Sequence, residues 1–436
     1  MKVKNSIPTG WRKVTLNEVG TSFNGLTGKK KDDFGNGEPY INYKSVFNNV
    51  FIGEDDFSYV KVSKDESQNI VSYGDILITV SSETPEDVGM SSVYLGTKKT
   101  YLNSFCFGIK PKQTIDPVFS AYWLRSSIAR KSIVRLAQGS TRFNLSKIKF
   151  MDIELPLPSL PEQKKIADIL STVDKKIDLI DQKITETEKL KSGLMQKLFS
   201  EGVGVQDENG NWQPHTEFQY DSLLGKKPKS WQTETLGNIL DIASSKRIKR
   251  EEYVNEGVPF YRSKEIILKS KQLSFTPEIF ISRERFDKLS EKFGSPQQGD
   301  ILISAVGTIG AIYRVRDEEF YFKDGNLLWI RNIDKSRLSS EFLECYFRSY
   351  LCQEMLANLS AGSSQNALTI VKLSKLPLII PTKDEQKMIV SIISSINEKI
   401  YLLKAQKSET QQLKKGLMQK LLTGEWRVPL EETEAA

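Results

Sequence analysis

The chain has 436 residues, 39% of them hydrophobic, with 62 basic against 55 acidic side chains; that suffices for two or three packed domains and excludes a disordered, collagenous or mini-protein chain. Three cysteines, Cys106, Cys345 and Cys352, none in a C-x-x-C pair, and a single histidine, His215, exclude a disulfide framework and leave too few soft ligands for a zinc site. Met1 to Ser6 carry positive charge without an apolar run, and no stretch approaches the ~18 uninterrupted apolar residues of a membrane span, so a cytoplasmic protein is expected. Charge is uneven: residues 1–150 carry 21 basic and 14 acidic side chains, whereas 151–204 carry 8 and 10, 205–378 carry 24 and 23, and 379–436 carry 9 and 8. Only the first segment is plainly basic, which suits an anionic partner.

In chain order, Pro8-x-x-Trp11-x4-Leu16 comes first, then the basic run Lys29-Lys30-Lys31, then Gly37-Glu38-Pro39-Tyr40 and Lys44. Asp75 to Val80 and Phe105 to Ile109 are short apolar runs, the first directly after a glycine, which predicts buried strands. Pro117 to Leu124 reads as an amphipathic helix followed by another. Gly139-Ser140-Thr141-Arg142-Phe143-Asn144-Leu145 is a glycine-led polar loop. Beyond Pro161, Ile166, Ile169, Val173, Ile177, Ile180, Ile184, Thr187, Leu190, Leu194 and Leu198 recur every three or four residues, an apolar stripe on one long helix that Gly202 can end.

All of this then recurs. Pro228-x-x-Trp231-x4-Leu236, Gly257-Val258-Pro259-Phe260 and Lys264 repeat the opening at an offset of 220. Asp300 to Ala305 and Asn326 to Ile330 repeat the strands, Ser340 to Phe347 the helix, and Gly362-Ser363-Ser364-Gln365-Asn366-Ala367-Leu368 the polar loop. Glu162 to Leu198 overlays Glu385 to Leu421 at an offset of 223 without a gap, with 19 identities in 37 positions. The second stripe runs through Ile389, Ile392, Ile396, Ile400, Leu403, Lys407, Thr410, Leu413, Leu417 and Leu421, after Pro381 and before Gly424. The order is variable globule, shared helix, variable globule, shared helix. The expected domains are 1–155, 156–204 (first spacer helix), 205–378 and 379–436 (second spacer helix and tail).

Each helix alone would expose its stripe, and the other copy is the partner of matching length and register; the alternative is that each packs on its own globule. The expected fold is therefore α/β: two similar mixed α/β domains joined by two long antiparallel coiled-coil helices, with a pseudo-two-fold internal repeat. About 35 residues at ~1.5 Å rise make a strut of roughly 50 Å. Its interface is expected to hold Ile166, Val173, Ile177, Ile180, Ile184, Leu194 and Leu198 against Ile389, Ile396, Ile400, Leu403, Leu417 and Leu421.

Ser, Thr, Arg, Asn and Gln hydrogen-bond base edges and phosphates, and are also common turn residues. Their recurrence at equivalent places favours binding. The runs Lys29-Lys30-Lys31 and Lys246-Arg247-Ile248-Lys249-Arg250 precede the Gly-x-Pro-aromatic turn of their copies, so phosphate contact is the better reading than a solvated face. No Gly-x4-Gly-Lys-[Ser/Thr] loop, no Gly-x-Gly-x-x-Gly after a strand and no Asn/Asp-Pro-Pro-aromatic tetrapeptide is present. His215 reads as a solvated linker residue, and no catalytic constellation is visible.

Together, Pro8-x-x-Trp11 with its copy, Gly299-Asp300-Ile301-Leu302-Ile303-Ser304 with its copy, the Gly-Ser-x loops, Leu155 to Gln163 and the duplicated Gly-Leu-Met-Gln-Lys-Leu resemble the specificity subunit of type I restriction–modification systems. The resemblance spans nearly the whole chain. It implies that each globule is a target-recognition domain reading one half of a bipartite double-stranded DNA sequence. The helices would form the spacer and dock two modification subunits. Those partners use S-adenosylmethionine to methylate an adenine in each half-site; a restriction subunit adds ATP- and magnesium-dependent translocation and cleavage. The chain itself is then expected to bind no cofactor and no metal and to have no activity alone. The expected DNA-binding residues are Lys29, Lys30, Lys31, Asn42, Lys44, Ser140, Thr141, Arg142 and Asn144, then Lys246, Arg247, Lys249, Arg250, Arg262, Lys264, Thr308, Ser363, Ser364, Gln365 and Asn366. After Val80 the first copy departs from the second, Glu83 to Asp87 replacing the glycine-rich Ala305 to Gly310; its acids would repel phosphate. The alternatives are a self-sufficient fused DNA methyltransferase or nuclease, which lacks a cofactor motif here, and a coiled-coil scaffold, which leaves the basic runs unexplained.

Overall fold

A strand with no polar alternation needs cover on both faces, and both shared apolar runs obtain it. The computed structural model of the chain describes residues 7–55, 57–361 and 367–430. It divides into two compact units, Met1–Gln182 with Lys404–Ala436, and Lys183–Leu403. Each unit thus holds one mixed α/β domain and part of both long helices.

The first unit runs β1 (Arg12–Thr15), β2 (Gly20–Asn24), α1 (Tyr43–Asn48), β3 (Phe51–Ile52), β4 (Ile76–Thr79), β5 (Ser91–Tyr94), β6 (Cys106–Pro111), α2 (Pro117–Leu124), α3 (Ser127–Val134), α4 (Lys147–Met151), β7 (Glu154–Leu157) and the start of α5 (Leu160–Ser200). Its main sheet has the order β2-β6-β4-β5-β3, antiparallel except for β3 beside β5. In β4, Ile76 and Ile78 enter one core with Phe119, Trp123 and Phe150, while Leu77 enters another with Tyr94 and Leu102. Each such buried side chain contributes ~1.5–3 kcal/mol. A separate pairing of β1 with β7 ties the start of the domain to the segment feeding α5.

The second unit repeats the plan with β8 (Gln232–Thr235), β9 (Asp241–Ala243), α6 (Ser263–Ser270), β10 (Ile301–Ser304), β11 (Ile312–Arg314), β12 (Leu327–Arg331), α7 (Ser340–Arg348), α8 (Tyr350–Ala361), α9 (Ile370–Ser374), β13 (Pro377–Ile380) and α10 (Lys383–Leu421). Its main sheet is β9-β12-β10-β11, all antiparallel, and β8 pairs with β13. Ile301 and Ile303 face one core and Leu302 another. The registers correspond: Thr79 lies opposite Cys106, and Ser304 opposite Leu327.

The long helices pair antiparallel, as the ion pairs Asp181–Lys407 at 2.7 Å and Asp174–Lys414 at 2.6 Å of the first unit show. Lys407, which interrupts the apolar stripe, is thereby neutralised. Every expected interface residue is buried or half-buried. Three other stripe members are not: Ile169, Leu190 and Leu413 are exposed, and Leu170, Met195, Phe199, Ile393 and Leu422 are buried beside the stripe. The reason is that toward its ends each helix packs on a domain as well as on its partner helix. Ile166 and Leu170 share a core with Phe119 and Leu421; Met195 and Phe199 share one with Phe342 and Ile389. Mutual pairing and packing on a domain, alternatives in sequence, coexist.

The duplicated Glu-Gln dipeptide locks this junction. Gln163 accepts the Asp116 N–H at 2.9 Å and donates to the carbonyls of Thr114 and Pro158; Gln386 accepts the Ser339 N–H at 3.0 Å and donates to Arg337 and Pro381. A buried carboxylate must collect donors. Glu162 receives Trp11 Nε1 at 3.1 Å and two N–H groups of Arg427 at 2.7 and 2.9 Å. Glu385 receives Trp231 Nε1 at 2.7 Å and the N–H groups of Val203 and Gly204, with His215 Nε2 2.9 Å away. His215 is therefore no solvated linker residue, its side chain being 6% exposed. Gly202 turns the chain here with φ +73°, and a Cβ would lie 2.3 Å from the Glu385 carboxylate.

Candidate nucleic-acid interface

In the first unit the C-terminal ends of β2 and β4 and the N-terminal ends of β5 and β6 lie at one end of the main sheet. Four loops meet there. The Val80 N–H donates to the Phe105 carbonyl at 3.0 Å, and its own carbonyl accepts the Leu145 N–H at 2.8 Å. This joins the loop after β4, the loop before β6 and the polar loop Gly139 to Leu145. Asn144 pairs with Ser81 in a short antiparallel bridge. Tyr43, at the start of α1, donates its hydroxyl to the Ser81 carbonyl at 2.5 Å, burial holding that phenol above its ordinary pKa. Lys147 reaches Asn24 Oδ1, at the end of β2, at 2.6 Å.

The second unit builds the same end from different residues. The Ala305 N–H donates to the Asn326 carbonyl, and the Ala305 carbonyl accepts the Leu368 N–H, both at 2.9 Å. Ser263, at the start of α6, donates to the Asn326 carbonyl at 3.3 Å. Beneath the loop after the central strand, a side chain of the following helix grips backbone in both units. Arg130 donates to the carbonyls of Glu86, Val88 and Gly89, and Gln353 to that of Gly310. Arg125 and Arg348, 223 positions apart, likewise bind carbonyls of neighbouring segments, Ser91 and Asn49 for one, Ile312 and Ser270 for the other.

The expected site residues divide on this frame. Ser140, Thr141, Arg142 and Asn144 are exposed at the sheet end. Lys44 is exposed beside Tyr43, but Asn42 is engaged as the N-cap of α1, accepting the Ser45 N–H at 2.9 Å and donating to Ser58. Lys30 and Lys31 are exposed, whereas the Lys29 side chain is 6% exposed and paired with Glu66. In the second unit Arg247, Lys249 and Arg250 are exposed and their side chains form no ion pair among the described residues, although the Lys249 N–H donates to the Glu252 carboxylate at 2.8 Å; Lys246 lies over the Phe293 ring. Arg262 and Lys264 are not free cations: both bind Glu278, at 2.9 and 2.8 Å, and Arg262 also binds Glu265. Thr308 is exposed on the loop after β10, its carbonyl accepting from Ser304 Oγ. Ser363, Ser364, Gln365 and Asn366 lie outside the described residues.

The residues the sequence reading missed are Tyr43, Ser81, Phe105, Arg125, Arg130 and Lys147. Recurrence of Arg125 at Arg348 could have flagged that pair. Phe105 was concealed by an apolar run that predicts a buried strand; the strand begins at Cys106, and Phe105 is 52% exposed. Among the described residues no cluster of three His, Cys, Asp or Glu is placed to hold a metal ion, and no helix is long and apolar enough to cross a membrane.

This architecture, a doubled α/β reader domain with duplicated helices, is that of a known class. The type I restriction modification DNA specificity domain matches residues 8–189 and again 228–412, and the chain belongs to that family. A type I restriction enzyme specificity subunit of Methanocaldococcus jannaschii, MjaVIII, is 28% identical over 384 residues, 85% of this chain and 83% of its own. The EcoKI specificity subunit of Escherichia coli K12 is 24% identical over 421 residues, 89% and 82% of the two chains. Among solved structures, the S subunit from M. genitalium aligns over 99% of both chains with TM-score 0.52 and 19% identity. A chain from a study of assembly and conformational transition of the type I R-M system aligns over 97% and 100% with TM-score 0.62 and 18% identity. This chain is a specificity subunit of the type I restriction–modification class.

Proposed function

We propose that each domain reads one half of a bipartite double-stranded DNA target through the loops at its sheet end, and that the paired helices set the spacer and dock two modification subunits. The observation that carries this reading is a duplicated frame with unlike tips: the same backbone ties hold equivalent loops in both units, while Phe105 and Arg142 of one correspond to Asn326 and Gln365 of the other. A constant frame presenting variable side chains is what two readers of different half-sites require.

On this reading Arg142 and Asn144, and Gln365 and Asn366, address base edges. Lys30, Lys31, Lys44, Arg247, Lys249 and Arg250 neutralise phosphates, with the salt dependence that implies. The chain is a non-catalytic, cytoplasmic recognition subunit. S-adenosylmethionine serves the modification subunits, which flip the target adenine from the stack; ATP and magnesium serve a restriction subunit where one joins the complex.

The test maps methylated adenines genome-wide in cells with and without the gene, then assays methylation by the chain alone and with its modification partner. The reading expects a two-part motif that disappears with the gene and reappears only in the assembled complex. Methylation by the isolated chain, or a complex indifferent to sequence, overturns it.

A further inference from the structure

We infer that Phe105 is a positioning residue that holds the Arg142 guanidinium ready to read a guanine in the half-site of the first domain, an inference that rests on the proposed DNA-reading role of this sheet end. Three observations meet on the pair. Phe105 exposes 52% of its surface although Cys106 and Phe107, next in the chain, are buried. Its backbone is nevertheless fixed, the N–H donating to Asn103 Oδ1 at 2.9 Å and the carbonyl accepting from Val80 at 3.0 Å. The ring is therefore presented outward by a rigid turn. Upon it lies Arg142, guanidinium carbon 5.5 Å from the ring centroid, within cation–π range.

The guanidinium is held a second time, Nη2 donating to Ser81 Oγ at 3.2 Å, while the Ser81 carbonyl is fixed by Tyr43. No carboxylate among the described residues pairs with the Arg142 side chain. Nε and Nη1 make no hydrogen bond among those residues.

A planar cation held by its face and by one N–H of Nη2 keeps a fork, the second Nη2 N–H beside that of Nε or Nη1, and this fork matches two acceptors side by side. Guanine presents such a pair in the major groove, N7 and O6; adenine places an N6 donor where O6 would be, opposing donor to donor. Lysine, a point charge on a flexible stem, could not use the ring or the fork in the same way. Pre-orientation by Phe105 removes much of the rotamer entropy that an exposed arginine would lose on binding. The second domain has Asn326 at the position of Phe105, with the same carbonyl tie to the central strand, so this platform belongs to one half-site only.

The test sequences methylated adenines in cells carrying the complete complex with the wild-type chain, Arg142→Ala, Phe105→Leu or Phe105→Tyr. We expect one half-site of the wild-type motif to require a guanine. Arg142→Ala and Phe105→Leu should each lower discrimination at that position about tenfold, the scale of one bidentate base contact, with Phe105→Tyr near wild type. The other half-site, read by the second domain, should stay stringent in every variant and so reports that the complex is folded. Full discrimination in Phe105→Leu overturns the inference, as do a wild-type motif without a required guanine and a uniform loss of methylation with both half-sites stringent, which makes Phe105 merely structural. A wild-type chain that directs no methylation overturns the proposed function itself.

Discussion

Glu162 and Glu385 occupy the same place in the two repeats, each hydrogen-bonded by a tryptophan and each 1% exposed, yet their remaining donors differ in kind. Glu162 draws on Arg427, whose side chain is 43% exposed, whereas Glu385 draws on two backbone N–H groups and a buried histidine. The carboxylate is what the fold needs; the donor is supplied by whichever segment leaves the neighbouring helix end. Frame and tip separate in the same way at the sheet end, where the backbone ties recur and the side chains change.

The largest expected effect tests that comparison directly. Breaking a buried ion pair or its hydrogen bonds costs about 3–5 kcal/mol. Glu385→Ala should fall at the upper end, because the Val203 and Gly204 N–H groups lose their acceptor, and Glu162→Ala at the lower, because Arg427 can turn to water. Urea titration of both variants checks this, and a greater loss for Glu162→Ala would show that the exposed arginine, not the buried amides, governs the cost.

Next are the arginines that bind carbonyls from beneath. Arg125 is half-buried and desolvation lowers its pKa, while Arg348 is exposed. Leaving buried carbonyls unsatisfied costs about 1–3 kcal/mol, so Arg125→Ala should approach ~3 kcal/mol and Arg348→Ala ~1 kcal/mol in thermal unfolding. Equal losses would remove burial as the distinguishing factor.

At the tips the effect moves from stability to specificity. Arg142→Ala should weaken specific DNA binding by the assembled complex by roughly 1–3 kcal/mol and relax one base position, with unfolding unchanged; a shifted melting curve would return Arg142 to the frame.

The smallest effect separates two surface carboxylates. Glu54 is held at about 2, below its ordinary 4.5, chiefly by the Thr97 N–H, and Glu278 is lowered chiefly by Lys264. A depressed folded-state pKa contributes stability that is present above the unfolded value and lost as pH falls through the folded one. Stability should thus decline from pH 4.5 toward 2 for Glu54. Glu54→Gln should flatten that decline with only a weak dependence on salt, its ion pair with Lys98 contributing less than the Thr97 hydrogen bonds, and Glu278→Gln mainly at low salt, since Debye screening weakens an exposed ion pair. Acid titrations at two salt concentrations distinguish them.

By itself the sequence determined the repeat, the long helices and the main strands, because these rest on periodicity and on offsets of 220 to 225 that need no knowledge of distant neighbours. It also placed Arg142 and Asn144 on a polar loop between named elements. Tertiary structure alone decided which polar groups remain available. Lys29 is neutralised by Glu66, Lys264 by Glu278, and His215 meets a carboxylate 170 positions away. It likewise turned Leu170 inward and Ile169 outward, since a helix packing on a domain and on another helix must bury a wider face than a two-helix seam. Phe105 shows the limit most plainly: its neighbours in sequence predict burial, and only the position of the strand end exposes the ring and brings Arg142 onto it. Local pattern carries the energetics of backbone and stripe; the pairing of charges and rings is a property of contacts that folding alone creates.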